Sequence, residues 1–122
     1  PRRTQKVIDR GSKPLSWYRE TFIRDGYKCV YCDKDVKSQF DDWMSIEVDH
    51  IIPVAKGGSH DLGNRGTSCN VCNSLKHSYI PENFESMSRE ELLADIRKYI
   101  RGKREIWGAR YQEALEEYKQ KR

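Results

Sequence analysis

The sequence predicts a small α+β domain stapled by a metal ion, and three observations carry that prediction. Four cysteines fall as two CxxC pairs, Cys29-Val30-Tyr31-Cys32 and Cys69-Asn70-Val71-Cys72, with 36 residues between them. Between the pairs, Ser45 to Ile52 alternates and is β-branched, as a strand does. Beyond them, Ser88-Arg89-Glu90-Glu91 has the form of a capping box and is followed by apolar residues at helical spacing.

Composition sets the limits. A chain of 122 residues is one domain's length. Charged residues make up 34% against 36% hydrophobic, and the mean hydropathy is −0.94, so any core is thin and a staple is needed. No stretch approaches the roughly 18 consecutive apolar residues of a membrane span. Pro1 to Lys6 has no apolar run behind it, so no secretory signal is expected. The net charge is +4 and unevenly spread. Residues 1–28 hold eight Lys/Arg against three Asp/Glu, residues 29–80 five against seven, and residues 81–122 ten against nine. The basic excess is N-terminal and the acidic excess is central, where a metal site would want it.

The elements follow in order. Residues 1–15 read as a basic arm broken by Gly11 and Pro14. Residues 16–80 read as the principal domain. Ser16 is expected to cap a helix through Arg24, with Trp17, Phe22 and Ile23 as buried positions and Asp25-Gly26 as its end. Gln39 to Trp43 reads as an acidic, aromatic connector, and Ser45 to Ile52 as the strand. Pro53 to Asn64 reads as a loop marked by Lys56-Gly57-Gly58-Ser59, with His60 as one of its residues. The second CxxC opens a helix expected from about Cys69 to His77. Residues 81–122 read as a helical extension, with Gly102 as an interruption between two periodic stretches. Their basic residues alternate with Glu, as on a solvated face. Trp17, Trp43 and Trp107 read as core, because aliphatic mass is scarce.

Two CxxC pairs complete a tetrahedral Cys₄ site, which assigns Cys29, Cys32, Cys69 and Cys72 to a structural Zn²⁺. Disulfides are the competing reading and need an oxidising compartment. A redox CxxC needs a βαβ context that the pattern lacks. The stretch from Val48 to His77 then carries the chemistry. Asp49 and His50 are neighbours at a strand end and point to opposite faces. Asn73 and His77, four apart on the expected helix, share a face. Asp49, His50, Asn73 and His77 can thus be drawn around one point.

The run Val48-Asp49-His50-Ile51-Ile52-Pro53, then Gly57-Gly58-Ser59-His60-Asp61-Leu62-Gly63-Asn64, then Cys69 to His77, resembles the HNH endonuclease family. Within it, the run looks like the branch with two CxxC knuckles around a ββα-metal (His-Me finger) core. The resemblance implies a metal-dependent endonuclease that hydrolyses DNA phosphodiester bonds, by nicking or double-strand cleavage. By position it makes His50 the general base and Asn64 the loop-fastening residue. It assigns Asp49 and Asn73 to the catalytic divalent ion, with His77 where some members have a further ligand. The family more often has His where this chain has Asn73. An amide oxygen is a harder donor, which favours Mg²⁺ or Mn²⁺ and leaves Ni²⁺ or Zn²⁺ as alternatives. Arg65 stands where an apolar residue is usual. Lys56, Arg65 and Lys76 are candidates for contacting DNA phosphates. The resemblance further implies a cytoplasmic protein of bacterial or phage type, and a homodimer is left open. The rival reading is a non-catalytic zinc-knuckle module that binds nucleic acid.

Overall fold

The computed structural model describes residues 13–122, so residues 1–12 of the expected arm lie outside the described residues. Helix α1 (Leu15–Arg24) starts one residue before Ser16, with Pro14 as an extended N-cap and no side-chain cap. Ser16 is therefore inside the helix and does not cap it. Tyr18, Thr21 and Phe22, at i, i+3 and i+4, form the buried stripe. Ile23 faces solvent, contrary to expectation, because it falls outside that stripe.

A tight knuckle around Cys29 and Cys32 follows, with left-handed turns at Gly26, Tyr27 and Asp33. The expected connector then folds into a short helix, α2 (Phe40–Ser45), whose first turn carries Asp41 and Asp42 against the helix dipole. Trp43 is half-buried beside it and Phe40 is exposed.

Strand β1 (Glu47–His50) is shorter than expected. It pairs antiparallel with β2 (Arg65–Ser68), in a register that sets Asp49 opposite Gly66 and His50 opposite Arg65. Nothing in the sequence reading marks β2. All four of its residues are buried although three are polar, so it shows no apolar alternation. Single-turn 3₁₀ segments at Val54–Lys56 and Leu62–Asn64 shape the connection between the strands. Helix α3 (Asn70–Lys76) packs beside β1 and completes a ββα unit. The architecture is α+β, as the sequence predicts.

Helix α4 (Arg89–Gln120) opens with the expected capping box: Ser88 accepts from the Glu91 amide, and Glu91 accepts from the Ser88 amide. Leu92, Leu93, Ile96 and Ile100 bury one face against α3 and the core. The core also takes Tyr18, Phe22, Tyr31, Val36, Ile46 and Ile51. Gly102 does not interrupt the helix. One interior glycine costs about 1 kcal/mol relative to alanine, too little to break 32 residues with no proline among them. No described helix is long and apolar enough to cross a membrane. A methyl group at exposed Gly102 would meet no atom within 4 Å. Gly102→Ala is therefore expected to stabilise the fold by roughly 0.5–1 kcal/mol in chemical denaturation.

Candidate active site and metal centre

The metal centre comes from two loops brought together by β2 and α3. In the first, the Cys29 amide donates to Lys34 O and the Asp33 amide to Cys29 O, which closes the knuckle. The Val30 amide donates to Thr67 O and stitches that knuckle to β2. In the second, Cys69 is the N-cap of α3 and its sulfur accepts from the Cys72 amide. The four sulfurs lie within 4.8 Å of one another, and none is in a disulfide. Cys32 Sγ and Cys69 Sγ are 3.8 Å apart, the edge of a tetrahedron with metal–sulfur bonds of about 2.3 Å. Hydrogen bonds from Cys29 and Cys72 hold the Cys69 thiol far below its ordinary range, and the Cys29 thiol, bonded to Cys69, is pushed up to about 11. Four sulfurs at this spacing are the donor set that a structural metal such as zinc takes. Arg104 of α4 reaches in as well, with Nη2 3.3 Å from Cys72 Sγ, and offsets charge that thiolates would concentrate there.

The second site lies across β1. Asp49 and His50 point to opposite sides of the strand, and the two sides differ. On the inner side Asp49 is buried and Lys76, only 1% exposed, reaches it from α3. Lys76 Nζ lies 3.2 Å from Asp49 Oδ2 and donates to His50 O at 3.3 Å. The Tyr31 hydroxyl donates to the same carboxylate oxygen in a very short hydrogen bond. Burial pushes the Asp49 carboxyl up, opposed by Lys76 and the Tyr31 bond. Burial and the Asp49 charge hold the Tyr31 phenol well above its usual range, so it stays a donor. Lys76 is thus not a surface phosphate contact, because its ammonium is spent inside the fold.

On the outer side the His50 imidazole lies against His60, with Nε2 3.0 Å from His60 Nδ1. Trp17 flanks both rings. Burial, reinforced by the charge of His60, lowers the His50 pKa, so its ring is neutral near pH 7. His60, read from the sequence as a loop residue, is the residue that reading missed. Its only sequence signal is its place one residue after Gly57-Gly58-Ser59, and that does not say which ring it meets.

Asn64 holds this loop in place. Its Oδ1 accepts from the Ile52 amide at 2.8 Å, and its Nδ2 donates to Ile52 O and Ser59 O at 3.0 and 2.9 Å. The Ile51 amide adds a bond to Asn64 O at 2.9 Å. Gly58 is needed at this closure, because a Cβ there would sit 1.8 Å from Ile52 O and 2.9 Å from Asn64 Nδ2. Arg65 finishes the work. It is 5% exposed, stacks over Trp17 at 4.4 Å, and donates to His60 O, Trp17 O and Thr21 Oγ1. The expectation of a phosphate contact at Arg65 is corrected: its donors tie α1 to the His60 loop. Lys56 stays exposed.

The structure does not gather every residue of the sequence expectation. Asn73 is half-buried on α3, one turn before Lys76. His77 lies just past the helix end at φ 51°, exposed, with Nδ1 3.2 Å from Ser78 Oγ. The shared helical face expected for Asn73 and His77 is lost, because α3 stops at Lys76. Among the described residues, the four cysteines are the only set of three or more His, Cys, Asp or Glu whose ligand atoms lie within 4.8 Å.

Residues 29–79 match the family model of the HNH endonucleases. Over this segment the chain is similar to HNH endonuclease domains. The match runs from the first cysteine of the first knuckle to just past α3, and so takes in both strands, the Asn64-fastened loop and both CxxC pairs. Comparison with curated proteins and with solved structures returns no match.

Two outcomes follow for this segment. Ring-proton NMR should place the His50 midpoint below the ordinary imidazole value of about 6.5. His60→Ala should raise it, since a neighbouring charge and part of the burial go; an unmoved midpoint would remove His60 from the His50 environment. Stripping the metal with a chelator should lower the melting temperature by about 10 °C or more, read by circular dichroism.

Proposed function

We propose that this chain is a metal-dependent endonuclease that hydrolyses phosphodiester bonds in DNA, with His50 as the general base. The observation that supports this reading best is the His50 ring: neutral, half-buried, and held by His60 on a loop that Asn64 pins. When Nε2–H donates to His60 Nδ1, the His50 Nδ1 lone pair is left to take a proton from water. Arg65 and Trp17 fix the backbone that carries His60, so the base is set before substrate arrives.

Asp49 and Asn73 are the residues that would hold the divalent ion. Both bonds to the Asp49 carboxylate fall on Oδ2, leaving Oδ1 for an ion. A carboxylate and an amide oxygen are hard donors that suit Mg²⁺ or Mn²⁺. The bound ion supplies Lewis-acid charge to the phosphate and to the leaving oxygen. His77 is not included in this set. Exposed Lys56, on the loop that carries His60, is the retained candidate for a phosphate contact. Four cysteines gathered as ligands suit a reducing, cytoplasmic compartment.

Cleavage of supercoiled plasmid tests the reading, with EDTA, Mg²⁺, Mn²⁺, Ni²⁺ and Zn²⁺ in separate reactions. Wild-type protein is expected to nick with an added ion. His50→Ala, with its zinc content unchanged, is expected to lose about 10²–10⁴-fold in rate. Salt-dependent DNA binding without cleavage under any ion would favour the non-catalytic module.

A further inference from the structure

Helix α4 leaves the core after Arg104, its last residue to touch the metal centre, and runs on to Gln120. That free stretch is about 24 Å long at 1.5 Å per residue. Its aromatic residues are not covered: Trp107, Tyr111 and Tyr118 are 53, 60 and 59% exposed. They are not scattered. Trp107, Tyr111, Ala114 and Tyr118 follow spacings of four, three and four, the seam of a two-helix coil. Leu93 and Ile100 lie fourteen and seven residues before Trp107, so the seam continues the stripe that is buried against the core.

Charge along this stretch selects the occupant. Arg110 and Glu117 each precede a seam tyrosine and flank the seam on the same side. A second copy laid antiparallel, with its Tyr118 opposite Trp107, sets Tyr111 opposite Ala114. The flanking rows, offset by two residues from the seam layers, then bring Leu115 beside Gly108, bulk against space, and Arg110 beside Glu117 twice. The seam ends where Arg104 turns to Cys72 and Lys121 caps the helix. Arg110 now stacks on Trp107 and Glu117 pairs with Lys121, both exposed contacts of small worth.

We propose that residues 105–120 of α4 dimerise the protein as an antiparallel helix pair centred between Gln112 and Glu113. This goes beyond the nuclease reading and stands or falls without it. Such a pair would hold the two Ile100 positions about 37 Å apart along the axis, close to one turn of duplex DNA.

Sedimentation equilibrium on the zinc-loaded full chain over a concentration series tests the proposal. Wild type is expected to show a monomer–dimer equilibrium. Arg110→Glu and Glu117→Arg should each weaken it about tenfold or more, and the double exchange should restore it to within about threefold. Circular dichroism checks that these exposed substitutions keep the helix, and Trp107→Glu offers a second disruption of the seam. A monomer at every concentration, or a dimer indifferent to the single reversals and to Trp107→Glu, overturns the proposal. Failure of the double exchange to rescue overturns the antiparallel register.

Discussion

Four sulfur atoms join three pieces of chain that have little apolar surface to hold them. Cys29 and Cys32 belong to a knuckle after α1, and Cys69 and Cys72 span the junction from β2 into α3. With hydrophobic residues at 36% of the chain, burial alone provides a thin margin for a fold of this size. The Cys₄ cluster fixes the start of α3, and α3 carries Lys76 to Asp49. The seat of one metal thereby sets the geometry beneath the proposed catalytic strand. Arg104 adds α4 to the same cluster, so the longest helix is moored where the chain is most tightly tied.

Around that staple the protein uses buried polar groups as cement. Arg65, Lys76, Asp49 and Thr67 are all buried, and among the described residues no fully buried side-chain nitrogen or oxygen lacks a partner. Such groups are costly inside a protein unless every bond is made. Here they are made to backbone carbonyls as well as to side chains: Arg65 to Trp17 O and His60 O, Lys76 to His50 O. They fix where loops lie more sharply than apolar contact does, because hydrogen bonds have direction and dispersion has little.

That choice explains which parts were legible in the sequence. The cysteine spacing, the capping box at Ser88 and the β-branched strand are local signals, and each marks an element the structure contains. Strand β2 was not legible, because Arg65-Gly66-Thr67-Ser68 is buried through hydrogen bonds and carries no apolar pattern. Arg65 and Lys76 looked like surface cations for the same reason: their partners are 44 and 27 positions distant in the chain, at Thr21 and Asp49. His60 meets His50 only because Asn64 folds the intervening loop back on itself. Gly102 looked like a break because propensity is local, whereas a helix anchored at Leu92 to Ile100 carries one unfavourable residue without ending.

The knuckle leaves one of its cysteines in the open. Cys29, Cys69 and Cys72 are buried, and Cys32 is exposed. An oxidant therefore meets the cluster at Cys32 first, and thiolates are the form that peroxide attacks. The cysteine that completes the staple is thus also the one that solvent reaches.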